Sequence, residues 1–244
     1  PAYIVLGRAL ERLDDYDGSE AALREAIRLA EDDQGPLQRH YLAALTELGV
    51  MLNERDEPTR ALPIAERAVA VGTQTLGDTA PRMVRVLQNL GEVQRSLGDL
   101  PEALRLYDLA ARIVAADSAN VERQSLTAYY RGRGDLDWSL GEVADARGAL
   151  QRGLATAGDD ETLTTERAGL RLSLARTWTR ADPQTARSLL EEALALYTSR
   201  LPDSHPAILR VINDLCGIEI LSTPDHAPRC DDAIARIDLA AEFA

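Results

Sequence analysis

Apolar residues in this chain recur at i, i+3, i+4 and i+7 on both sides of short polar turns, which is the spacing of one face of a helix. The clearest stretch runs from Leu90-Gly91 through Leu97-Gly98-Asp99-Leu100-Pro101-Glu102-Ala103 to Tyr107 and Ala110. It predicts a helix A, a tight turn and an antiparallel helix B. The same pattern returns along the chain. Leu-Gly stands at Leu6-Gly7, Leu48-Gly49 and Leu90-Gly91, 42 residues apart each time, with weaker echoes at Arg133-Gly134, Leu174-Ala175 and Leu215-Cys216. A fixed period of this size marks a solenoid of stacked units, not a single packed core.

Each unit carries a second landmark. Leu6 to Ala26, Leu48 to Ala68, Leu90 to Ala110 and Arg133 to Gly153 are all 20 residues apart, and Leu174 to Ala193 is 19. After each turn stands a small residue: Ser19, Ala61, Ala103, Ala146 or Ala186. Gly91 and Ala103 are expected to face each other where the two helices approach most closely, with Leu90 and Tyr107 filling the space beside them.

Leu-Gly, a Gly-Asp-aliphatic turn, then Ala, Tyr and Ala at this spacing resemble the tetratricopeptide repeat. That repeat has a period of about 34 residues, so eight are extra here, and they lie between helix B and the next helix A. The connectors read Leu76-Gly77-Asp78-Thr79-Ala80-Pro81 and Leu201-Pro202-Asp203-Ser204-His205-Pro206, a Pro after Asp and Ser or Thr being a helix-start signal. Long connectors of this kind resemble the kinesin-light-chain class of the repeat, over essentially the whole chain. The resemblance implies an all-α fold, a right-handed α-α superhelix of about six helix pairs. The repeats are placed at about 1–33, 34–75, 76–118, 119–159, 160–200 and 201–244 of one array. The sixth has helix A from about Pro206 to Leu221 and a polar capping helix from about Arg229 to Glu242. Repeat 4 has Arg133 for the landmark Leu, repeat 5 is a residue shorter between its landmarks, and repeat 6 is the most divergent.

Composition narrows the function. Phe, Trp and Tyr total ten, leaving Ala and Leu, both strong helix formers, as the main apolar material. A net charge of −13 speaks against nucleic acid and against anionic membranes as partners. No apolar run has the length of a membrane span or signal-peptide core, and two cysteines make no disulfide scaffold. The expectation is a cytoplasmic protein. All 27 basic residues are Arg, which suits a GC-rich bacterial genome. The chain opens without Met and with Leu6-Gly7 already at mid-helix, which reads as a segment of a longer protein.

Candidate chemistry is sparse, and the chain is not expected to be an enzyme or to hold a cofactor. His40, His205 and His226 are scattered, with His205 read as a structural part of its connector. Cys216, His226 and Cys230, with Asp225 and Asp231, are the one group of metal-like residues, but in no zinc spacing. Cys216 and Cys230 are read as two separate buried thiols, with a disulfide across the last hairpin and a metal site as the alternatives. Arg133-Gly134-Asp135 spells an adhesion tripeptide but falls in a predicted helix.

The A helices are more informative. The positions predicted to line their concave face hold Arg8, Arg12, Arg85, Arg95, Arg131, Arg176, Arg180 and Arg210 against Glu11, Glu47, Glu54, Glu92, Asp135 and Asp214. That is a net +2, with −15 on the remainder. These Arg either pair with the acids beside them or receive an acidic or phosphorylated extended segment. The candidate partner-binding residues are Arg85, Gln88, Asn89, Arg95, Arg131, Trp138, Arg176 and Arg180, Trp138 being a plausible anchor. Arg85 with Asn89 resembles part of a carboxylate clamp for chaperone tails. Ala43 and Glu47 occupy the places where the clamp wants a cation and Asn, so that role is set aside. The functional expectation is a scaffold that binds a protein or peptide. The alternative is a regulatory or self-association segment of a bacterial multidomain kinase or transcriptional regulator.

Overall fold

The computed structural model describes residues 2–11, 13, 15–31, 38–222 and 230. Among these there are eleven α-helices and no strand. They are α1 (Ala2–Glu11), α2 (Tyr16–Ala30), α3 (Gln38–Glu54), α4 (Pro58–Leu76), α5 (Met83–Leu97) and α6 (Leu100–Asp117), then α7 (Arg123–Ser139), α8 (Val143–Ala157), α9 (Thr164–Trp178), α10 (Pro183–Thr198) and α11 (Pro206–Ser222). By its contacts the chain divides into two compact units, residues 1–132 and 133–244, with the division inside α7.

In the first unit each helix packs on the next, from α1 to α6, and α1 meets α3 as α3 meets α5. Odd helices therefore form one layer and even helices the other. The core between them holds Leu23, Leu45, Leu48, Met51, Met83, Leu106 and Tyr107. Each turn is built from local chemistry. Gly98 ends α5 at φ 85°, and Asp99 then caps α6 by accepting the Glu102 N–H at 3.2 Å. The turn 42 residues earlier uses Asp56 in the same left-handed region, at φ 62°.

In the second unit α8 packs on α9, α9 on α10 and α10 on α11. Its core includes Ala168, Leu172, Ala175, Leu190, Ala193, Ile208, Val211, Ile212 and Leu215. Arg147 of α8 lies 3.4 Å over the Trp178 ring and donates to the Thr177 carbonyl at 2.6 Å, tying α8 to the end of α9. His205 Nδ1 accepts the Ala207 N–H at 3.1 Å, so this connector histidine caps α11. The adhesion tripeptide lies in α7, where Arg133 bonds Asp137 at 2.8 Å and Gly134 packs on Leu150.

Two readings of the sequence are corrected. The small residues Ser19, Ala61, Ala103, Ala146 and Ala186 are all fully buried, and a Cβ on Gly7 or Gly134 would come within 3.5 Å of the Ser19 carbonyl or 3.1 Å of the Ala146 carbonyl, but the nearest atoms belong to a larger side chain. A Cβ on Gly7 would lie 2.9 Å from Leu23 Cγ, one on Gly91 2.9 Å from Tyr107 Cε2, and one on Gly134 2.6 Å from Leu150 Cγ. In each case the partner stands four residues beyond the small residue, one turn further along helix B. The cysteines are not two separate thiols. Cys216 and Cys230 form a disulfide with Cα atoms 4.7 Å apart, since the chain returns to α11 within bonding reach. His226, Asp225, Asp231 and the predicted capping helix from Arg229 to Glu242 lie outside the described residues, Cys230 excepted.

Candidate functional site

In the first unit the odd-helix layer carries a line of charge. Glu47 of α3 is buried, and its carboxylate receives guanidinium groups from both sides, Arg8 of α1 and Arg85 of α5. Asn89, one turn beyond Arg85, is also buried and donates to the Thr46 carbonyl at 3.3 Å. It fits because a Cβ on Gly49 would sit 2.6 Å from its Nδ2. Gln88 is half-buried between them. Arg95 bonds Glu92 at 2.9 Å, and Glu92 in turn accepts the Tyr107 hydroxyl at 2.5 Å. Arg131 is half-buried. Arg85 and Arg95 are thus held by acids of this unit and Asn89 by a backbone carbonyl.

Two acids on the same layer face each other. Glu11 of α1 meets Glu54 of α3, and its carboxyl is pushed up to about 8. Burial is the largest cause, followed by the charge of Glu54 and a hydrogen bond to it, then the charge of Glu47; Arg8 opposes the shift. Near neutral pH Glu11 therefore keeps much of its proton. Because the folded value lies above the unfolded one of about 4.3, the stabilisation is complete below the unfolded value. It is lost as pH rises through the folded one. Stability should fall between about pH 5 and 8, by on the order of 1–2 kcal/mol once solvent screening is allowed for. Glu11→Gln should remove that slope, as measured by thermal unfolding at pH 5.5 and 8.5.

In the second unit the odd helices carry the other candidates. Arg176 of α9 bonds Asp214 of α11 at 3.1 Å. Arg180 lies exposed in the turn after α9, and Arg210 is exposed on α11. Among the described residues neither makes an ion pair. Trp138, near the end of α7, is 40% exposed, with Leu140 exposed in the turn that follows. These four side chains differ from the first unit's candidates in being available.

Sequence reasoning missed a set of exposed apolar residues at the first hairpin, Tyr3, Leu6, Leu13 and Leu29. The 42-residue register, applied to α1, was the signal that could have found Tyr3 and Leu6. On the even-helix side, Arg24, Ile27, Arg28, Glu31, Ile64 and Arg67 line a groove of about 190 Å³ between α2 and α4, smaller than the roughly 300 Å³ from which small-molecule sites usually begin. Among the described residues no three His, Cys, Asp or Glu are grouped to hold a metal, and no helix is long and apolar enough to cross a membrane.

Family models of the tetratricopeptide repeat match residues 1–33 and 40–116. No curated protein sequence matches the chain. Among solved structures, BtubC (BKLC) from P. vanneervenii aligns with a TM-score of 0.62 at 16% identity, covering 99% of this chain and 91% of that one. The kinesin-light-chain-type repeats of Podosopora anserina align at 0.57 and 20% identity, covering 86% and 97%. A thermophilic repeat protein of Thermus thermophilus aligns at 0.55 and 18% identity, covering 97% of each chain. At these identities the likeness is one of fold.

Proposed function

Since the chain carries tetratricopeptide repeats, long ones of the kinesin-light-chain type, we propose that it is a non-catalytic docking scaffold for an acidic, extended segment of a protein partner. Repeats of this kind are interaction scaffolds in general, and function then lies in the side chains grafted onto them. The observation that carries the acidic partner is the second unit's surface, where exposed Arg180 and Arg210 have no ion pair among the described residues while Trp138 stands open beside Leu140. Arg is suited to bidentate carboxylate or phosphate contacts, and an aromatic anchor supplies apolar area. In the first unit Arg85 and Arg95 share their charge with Glu47 and Glu92, while Gln88, Asn89 and Arg131 lie on the same odd-helix layer. Arg176 contributes through its pair with Asp214.

The test uses immobilised 12-residue peptides rich in Asp and Glu with one aromatic or Leu residue, against Lys-rich counterparts. The chain should retain on the acidic set, less so at high salt. Trp138→Ala should weaken binding about thirtyfold, the equivalent of a 2 kcal/mol anchor, and Arg180→Glu with Arg210→Glu should abolish it. Equal retention on basic peptides would overturn the reading. Concentration-dependent self-association without peptide binding would favour a regulatory or self-assembling segment instead.

A further inference from the structure

The groove between α2 and α4 has a floor that repeats along the first unit and a rim that does not. Leu45 and Leu48 of α3 form the floor, and Ile27 of α2 and Ile64 of α4, both half-buried, form the walls. Over them stand three exposed guanidiniums, Arg24 and Arg28 of α2 and Arg67 of α4, against the single carboxylate of Glu31. Forty-two residues on, the floor positions are again leucines, Leu87 and Leu90, and both are buried. The rim positions there hold Glu66, Ala70, Leu109 and Thr73, so three cations and one acid, a net +2, give way to one acid, a net −1. Packing of the hairpins requires the leucines at both places and requires nothing of the rim. Side chains that a shared fold leaves to choice are where a binding function is grafted.

The rim's bonds show which of its cations have donors to spare. Arg67 crosses to Glu31 at 2.6 Å and lies 5.3 Å over the Tyr41 ring of α3, which fixes one end of the groove. Arg24 uses one nitrogen, on Glu20 at 2.8 Å, and Arg28 uses two, on Glu25 at 2.8 and 2.6 Å. Neither makes another hydrogen bond or ion pair among the described residues. Of the five N–H donors on each guanidinium, several are therefore left over. Glu20 is shared besides with Arg55 and Arg60, so three arginines divide one carboxylate. Arg24 and Arg28 lie open to water, where ion pairs are held weakly, and a guanidinium with unspent donors takes a further carboxylate. At about 190 Å³ the groove has room for one aliphatic side chain rather than a metabolite.

We propose that this groove docks an extended acidic segment of a partner protein through one Leu, Ile or Met side chain. That side chain sits on Leu45 and Leu48 between Ile27 and Ile64, and the Asp or Glu residues beside it are held by Arg24 and Arg28. The apolar floor supplies the anchor and the rim supplies the choice of charge. The site lies wholly within the first unit and stands independently of the second unit's Trp138, Arg180 and Arg210.

The probe is a short fluorescent peptide with one central Leu between pairs of Asp and no aromatic residue, followed by anisotropy, with sedimentation velocity alongside. It is titrated into the full chain carrying Trp138→Ala, Arg180→Glu and Arg210→Glu, so that the second unit's surface cannot account for the signal. Saturable one-to-one binding is expected. Arg24→Glu with Arg28→Glu should weaken it at least about tenfold, and so should replacing the peptide's Leu with Ser. Both arginines are exposed, so the helical signal should stay unchanged. Arg105→Glu with Arg112→Glu makes the same change of charge on exposed positions of α6. At physiological salt it should leave the affinity within about twofold. No saturable binding, equal binding to the Arg24, Arg28 variant, an equal loss in the α6 control, or equal binding of the Ser peptide would each overturn the proposal. So would displacement of the peptide by an equal concentration of octanoate, making a small aliphatic acid the occupant, or dimers of the chain that exclude the peptide.

Discussion

Gly91→Leu is expected to lower stability by about 2–3 kcal/mol, near the top of the range for overpacking a closed interior. Even the first carbon is in the way, since a Cβ would stand 2.9 and 3.1 Å from Tyr107 Cε2 and Cδ2 and 3.7 Å from Leu106 Cβ. Tyr107 has little freedom to yield. It is fully buried, its hydroxyl is bonded to Glu92, and its ring lies 6.0 Å from that of Tyr129. Against the clash stands the removal of a mid-helix glycine, worth roughly 0.5–1 kcal/mol in favour of the variant. The clash wins for Leu, and Gly91→Ala, which brings only the first carbon, should be destabilised less. Urea unfolding separates the cases, and a Tyr107→Ala background should cancel most of the Leu penalty. An unchanged midpoint for Gly91→Leu would mean that α5 and α6 do not cross there.

Reduction of the Cys216–Cys230 bond is expected to cost up to about 3 kcal/mol, the chain-entropy value for a loop near 15 residues; the separation here is 14. Thermal unfolding should shift down with reductant in the wild type. The Cys216→Ala, Cys230→Ala protein should melt at the reduced position with or without reductant. An unshifted wild type would show that packing of α11 on α10, through Ile208, Val211, Ile212 and Leu215, already holds the end of the second unit.

The legible part of this molecule is what repeats. The helix pairs, the fully buried small residues after each turn and the start of α11 at Pro206 all follow from a pattern present several times over. What was not legible turns on a single helical turn. The expected partner of Gly91 was Ala103 and the actual one is Tyr107, four residues on. Four ion pairs between neighbouring repeats show a similar offset: Arg8–Glu47, Glu47–Arg85, Asp17–Arg55 and Arg176–Asp214 are 38 or 39 residues apart, about one turn short of the 42-residue period. Comparing equivalent positions, as the sequence invites, looks past these pairs, and so the candidate arginines read as more available than they are. The disulfide depended on where the chain goes after α11, for which no repeat supplies a precedent.

That offset also limits how far any link reaches. Among the described residues the ion pairs joining helices in each unit run within a hairpin or to the next one, 21 to 40 residues along the chain. Under tension the described residues offer no distant clasp to give way all at once. Each hairpin is held by its neighbours alone, so a pulled chain should peel from an end in steps of one repeat, at modest force, and close again in the reverse order.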